Sequence, residues 1–157
     1  MYLQATRSLP LILEDDNSGN ARWYVDAAFA VHHDMRSHTG IYLSTGKGAT
    51  YAASRKQKLT GKSSTEAELI AIDDCASQIL WTKYFLKDQG YHLNNSTLYQ
   101  DNQSTMLLAE NGKSSSTKRT RHINIRYFFI TDCINWGNIA INYMPTEEMI
   151  ADFSQNH

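Results

Sequence analysis

The sequence is poor in the residues that punctuate or cross-link a chain, with 2 prolines, 2 cysteines and 8 glycines in 157 residues. So little Pro and Gly excludes a collagen-like or low-complexity disordered chain. Cys75 and Cys133 cannot build a disulfide framework, and they are expected reduced and buried as small apolar side chains. No apolar run is long enough to span a bilayer. Met1 to Ile12 lacks the apolar stretch and small-residue cleavage site of a signal peptide. The expectation is an intracellular protein with no membrane partner. A surplus of charge is also missing, because 15 Lys and Arg face 16 Asp and Glu for a net −1. An apolar fraction of 41%, a charged fraction of 20% and a mean hydropathy of −0.49 describe one ordinary globular domain.

What is present is a segregation of charge. Ten of the 15 basic residues fall in two short windows. The first holds Lys47, Arg55, Lys56, Lys58 and Lys62; the second holds Lys113, Lys118, Arg119, Arg121 and Arg126. Neither contains an acid. Segregated positive charge is the electrostatic footprint of a protein that tracks phosphate backbones, whatever the net balance. His32, His33 and His38 are accompanied by no cysteine and no Glu-x-x-His pattern, so no zinc site is expected of them.

The chain reads as β-β-β-α-β-α-α-β-α. Arg22 to Val31 is apolar, aromatic and β-branched, as in a central strand buried on both faces. Gly40 to Ser44 and Ala49 to Arg55 complete an antiparallel meander around the Thr45-Gly46-Lys47-Gly48 turn. Ser63, Ser64 and Thr65 offer caps for a long helix ending near Asp88, with Gly90 as its stop. Thr97 to Gln100 is a short strand and Asn102 to Glu110 a short helix. His122 to Trp136 has helical spacing, and Asn138 to Met144 alternates as a strand. Pro145-Thr146-Glu147-Glu148 opens a last short helix with Thr146 as its cap. Strands followed by alternating helices and strands suggest a mixed sheet with helices packed on it, an α/β domain.

Four carboxylates occupy odd places. Asp26 interrupts the apolar first strand, where an acid is costly unless paired or bound to a metal. Glu68 lies four residues before Ile72 on the stripe Ile72, Cys75, Ala76, Ile79 and Leu86, so it points at the sheet. Glu66, about 200° around the helix, points away. Asp101 sits at the carboxyl end of a strand, a favoured place for a site in α/β sheets, although an N-cap role is open to it. Asp152 lies in the last helical segment. Hard oxygen ligands without a His or Cys cluster suit Mg²⁺ or Mn²⁺ rather than Zn²⁺. Two such ions can activate a water and stabilise a leaving oxygen in phosphodiester hydrolysis. Beside two basic windows, they indicate a nuclease.

These motifs resemble the ribonuclease H domain of the Pol polyprotein of copia-type LTR retrotransposons. The matching stretches are Trp23-Tyr24-Val25-Asp26-Ala27, Arg36-Ser37-His38-Thr39-Gly40, Ser63 to Leu69, Tyr99-Gln100-Asp101-Asn102-Gln103-Ser104, Arg121 to Tyr127 and Pro145 to Asp152. The resemblance implies a ribonuclease H-like fold, a five-stranded mixed sheet flanked by helices, over residues 21–157. Residues 1–20 look like the segment joining it to reverse transcriptase. It implies a metal-dependent endonuclease that hydrolyses the RNA strand of RNA–DNA hybrids, with two Mg²⁺ ions (or Mn²⁺) held by Asp26, Glu68, Asp101 and Asp152. Lys56, Lys58, Lys62, Lys118, Arg119, Arg121 and Arg126 are the expected backbone contacts. The reverse transcriptase domain of the same polyprotein is the expected partner, and the cytoplasm or a virus-like particle the expected location. An inactive hybrid-binding domain on the same fold is the alternative left open.

Overall fold

A computed structural model describes residues 7–10, 12–111 and 124–149. Five strands form one mixed sheet: β2 (Asn20–Ala28), β3 (His38–Ser44), β5 (Tyr51–Lys56), β6 (Asn95–Gln100) and β7 (Ala140–Tyr143), in the order β5-β3-β2-β6-β7. The meander β2-β3-β5 is antiparallel, whereas β6 runs parallel to both β2 and β7. A separate two-residue ribbon pairs β1 (Glu14–Asp15) with β4 (Gly46–Lys47). It presses the chain so closely on the turn that a Cβ at Gly46 would lie 2.0 Å from the Glu14 carbonyl oxygen, so only glycine fits.

The central strand is buried on both faces, as its composition predicts. Ala21, Trp23 and Val25 face the main core, with Ile41, Leu43 and Leu98 from neighbouring strands. On the other face Tyr24 stacks on Tyr99 at 5.1 Å and meets Tyr42 edge-on at 5.7 Å, closed over by Met149. The strand stops at Ala28 rather than at the expected Val31. Ala30 takes a left-handed backbone with φ 53° and donates its N–H to Ser37 Oγ, which takes it out of the ladder. Phe29 and Val31 are consequently exposed.

Helix α1 (Ser64–Asp88) lies across the main core face. Ser63 caps it by accepting the Glu66 N–H, and the Glu66 carboxylate accepts the Lys62 N–H in return, so two end donors are satisfied. Leu69, Ile72, Cys75, Ala76 and Ile79 form its buried stripe. The stripe fades at Leu86, which is half-buried, and Trp81, Tyr84 and Phe85 are exposed where the helix outruns the sheet. Gly90, at φ 88°, ends the helix in the conformation its stop role requires. Helices α2 (Gln103–Asn111) and α3 (Asn124–Asn135) complete the layer. The expected first residues of α3, His122 and Ile123, lie outside the described residues. Cys75 and Cys133 are both free and fully buried, as expected.

Candidate active site

The sheet brings the first three odd carboxylates to one end. Asp26 lies near the carboxyl end of β2, and Asp101 directly follows the carboxyl end of its parallel neighbour β6. Glu68 lies on the second turn of α1, which crosses above both. A carboxylate oxygen from each of the three lies within 4.8 Å of the others. Glu68 is buried and Glu66 half-exposed at the helix start, as helical periodicity predicts.

Two of the acids, Asp26 and Glu68, share one backbone donor. Asp26 Oδ1 accepts the Ala27 N–H at 2.8 Å, and the same N–H reaches Glu68 Oε1 at 3.2 Å. Glu68 Oε2 accepts from Gln100 Nε2 at 3.0 Å. Burial first, and the neighbouring Asp26 charge second, push the Glu68 carboxyl from its ordinary 4.5 up to about 9. A third carboxylate, Asp101, adds to the rise, while the Gln100 hydrogen bond opposes it. Crowded acids that disfavour one another's ionisation are a donor set suited to a hard divalent cation. The oxygen-only chemistry of the cluster fits Mg²⁺ or Mn²⁺.

Asp101 is free of the capping role that its position left open. Asn102 performs it instead, accepting the Thr105 N–H at 3.0 Å. Asp101 Oδ2 accepts the Thr146 hydroxyl at 2.8 Å. Thr146 therefore departs from the expected N-cap: among the described residues the last helical segment is a single 3₁₀ turn, Thr146–Glu148, with no side-chain cap. Its hydroxyl serves the acidic cluster, tying the segment that leads toward Asp152 to the end of β6. Asp152 itself lies outside the described residues.

The basic residues divide. Lys58 and Lys62 are exposed on the loop between β5 and α1, which leads directly into the helix that carries Glu68. Lys56 is exposed but paired with Asp34 at 2.6 Å. Arg126, expected at the phosphate backbone, has its guanidinium bonded to Asp73 of α1 and 3.6 Å from Asp74, and it joins α3 to α1. Lys118, Arg119 and Arg121 lie outside the described residues. His32 and His38, of which no zinc site is expected, share a 3.0 Å ring contact, and His38 Nε2 lies 2.7 Å from Ser54 Oγ.

Two buried amides escaped the sequence reading. Gln57 donates to Thr39 Oγ1 and to the Ala67 carbonyl, each at 2.9 Å, and so clamps the basic loop onto the start of α1. Gln100 bonds Glu68 and the backbone beyond β6. A signal for Gln100 exists in the sequence: the alternation Ser96, Leu98, Gln100 puts a polar residue at the next inward position of β6.

The fold that carries these residues is shared with known proteins. LC11-RNase H1, isolated from compost by a metagenomic approach, superposes with a TM-score of 0.65 at 13% identity, covering 88% of this chain and 94% of that one. The same enzyme in complex with an RNA/DNA hybrid gives 0.64 at 11% identity, over 87% and 94%. The chain thus has the ribonuclease H fold. In sequence, it is 35% identical over 130 residues to the retrovirus-related Pol polyprotein from transposon TNT 1-94 of Nicotiana tabacum, over 82% of this chain and 10% of that protein. It is 29% identical over 153 residues to the Pol polyprotein from transposon RE2 of Arabidopsis thaliana, over 96% and 10%. It is a ribonuclease H domain of the retrovirus-related Pol polyprotein type. The chain spans about a tenth of the length of these curated relatives. No family model matches it.

Proposed function

We propose that this domain is a metal-dependent endonuclease that hydrolyses the RNA strand of RNA–DNA hybrids during retrotransposon reverse transcription. The observation that carries the reading is the meeting of Asp26, Glu68 and Asp101, from three separate elements, within 4.8 Å on a ribonuclease H fold. Asp152 is proposed as the fourth acid on the strength of the motif resemblance. Two Mg²⁺ or Mn²⁺ ions held by these acids would supply an activated water and stabilisation of the departing 3′ oxygen.

The chain's own residues do the rest. Asp26 and Asp101 place their carboxylates at the mouth of the sheet, half-exposed to an incoming phosphodiester. Glu68 completes the cluster from its buried side. Lys58 and Lys62 are suited to attract the hybrid backbone beside the acids without reading bases. The reverse transcriptase domain of the same polyprotein is the proposed partner, with residues 1–20 as the connecting segment.

The test is cleavage of a labelled RNA–DNA hybrid in Mg²⁺ and in Mn²⁺, with Asp101→Asn and a chelator control alongside. The expected result is RNA-strand products that vanish in the variant and on chelation. A folded protein that binds hybrid without cutting it would instead identify an inactive binding domain.

A further inference from the structure

Gln100 is the last residue of β6 and is fully buried. Its side chain faces the site, and its three hydrogen bonds end there. Nε2 donates to Glu68 Oε2 at 3.0 Å. Oε1 accepts the N–H of Asp101 at 2.7 Å and of Asn102 at 3.1 Å. The amide cannot be turned the other way, because two backbone N–H groups demand an acceptor and a carboxylate is best met by a donor. Its backbone carbonyl also accepts the Met144 N–H at 3.0 Å, so the main chain that carries it is held as well.

One side chain therefore spans the gap between two acids on different elements. It fixes the Glu68 head group and, through the Asp101 and Asn102 N–H groups, the turn that aims Asp101. The Ala27 N–H fixes Glu68 from the other side, beside Asp26. The three acids are strung along one hydrogen-bonded chain, Asp26 to Ala27 to Glu68 to Gln100 to Asp101. Like-charged groups left to themselves move apart, so a cluster of this kind needs a strut. Only a side chain of this length with a donor and an acceptor on one head can be that strut; Asn is a methylene too short and Met or Leu offers neither group.

We propose that Gln100 is a positioning residue that sets the spacing of Glu68 and Asp101 for divalent metal, a role that rests on the nuclease reading above. Outer-shell partners of this sort are commonly worth a factor of about 10 to 100 in metal affinity or activity.

The experiment compares wild type, Gln100→Met and Gln100→Glu by Mn²⁺ titration calorimetry, by kcat and KM on a hybrid, and by thermal unfolding. Gln100→Met removes donor and acceptor without adding charge. It should weaken Mn²⁺ binding about 10-fold or more and lower kcat by a similar factor, with KM for hybrid unchanged within twofold. Gln100→Glu keeps the acceptor for both N–H groups but adds a further acid to the cluster and cannot donate to an ionised Glu68, so its activity is read on protein whose melt shows it folded. It should also lose kcat at unchanged KM, and it decides the matter should the Met variant not fold. A lowered Tm with wild-type Mn²⁺ affinity and kcat would mean that Gln100 is merely structural, and would overturn the assignment alone. A wild-type protein that neither binds Mn²⁺ nor cleaves hybrid would overturn the nuclease reading and this assignment with it.

Discussion

Glu68 accepts the N–H of Ala27 and is thereby held beside Asp26, the residue whose charge, after burial, contributes most to raising it. A carboxyl at about 9 in the folded chain, against an ordinary 4.5, binds its proton more tightly folded than unfolded. The resulting stability is fully present below the unfolded value and is lost as pH rises toward the folded one. Metal-free protein should therefore show a Tm that falls as pH rises from about 5 to 9. Saturating Mg²⁺ or Mn²⁺ should flatten that slope, because the metal favours the ionised cluster. Thermal melts at stepped pH, with and without metal, measure both.

Asp26→Asn keeps an oxygen to accept the Ala27 N–H but removes one of the crowded charges. In chelator at pH 8 it should melt higher than wild type by about 2–4 °C, roughly 1 kcal/mol for a chain of this size. The same protein should show no hybrid cleavage. A melt well below wild type would show that Asp26 serves the fold instead.

Arg126→Ala should act on stability and not on hybrid binding. Burial raises the Asp73 and Asp74 carboxyls, and Arg126 is the largest opposing charge at both, with Arg55 and Lys58 assisting at Asp74. Removing it leaves two half-buried acids facing each other, at a cost of about 1–3 kcal/mol. Urea denaturation should register the loss, while hybrid affinity at fixed salt stays within twofold.

Lys58→Ala and Lys62→Ala should do the reverse. Both side chains are exposed on the loop that leads into α1, so their loss should leave Tm within about a degree. Hybrid affinity should weaken uniformly across sequences. The slope of log K against log salt should become shallower by about one for each lost phosphate contact. A binding series between 50 and 200 mM salt, the range over which such contacts are commonly felt, reads it out.

The sequence was most legible where periodicity and chemistry coincide. Asp26 stood out because its neighbours Trp23, Tyr24 and Val25 are all apolar, and Glu68 because it falls on the stripe that continues to Ile79. Those two contrasts located two of the three clustered acids before any coordinates. What failed was local chemistry that a neighbour could perform equally well. Thr146 and Asp101 are both good caps by type, yet Asn102 caps α2 and the 3₁₀ turn goes without a side-chain cap. That leaves Thr146 and Asp101 free to bond each other. Arg126 looked like its basic neighbours because charge is visible in a sequence and its partner is not. Asp73 and Asp74 lie far away in the chain and meet Arg126 only when α3 packs on α1. The alternation along β6 marks Gln100 as inward-facing, but its role comes only from the three groups around it.

The strand order has a consequence in time as well as space. β2, β3 and β5 follow one another along the chain and can zip together as neighbouring hairpins, which form within microseconds. β6 can join only after the whole of α1 has crossed over, which closes a much longer loop and belongs to a slower step. Asp26 and Asp101 are on opposite sides of that event. A chain lacking the β2–β6 pairing carries these two acids dispersed. The acidic cluster is therefore completed by the docking of a single strand, β6 beside β2.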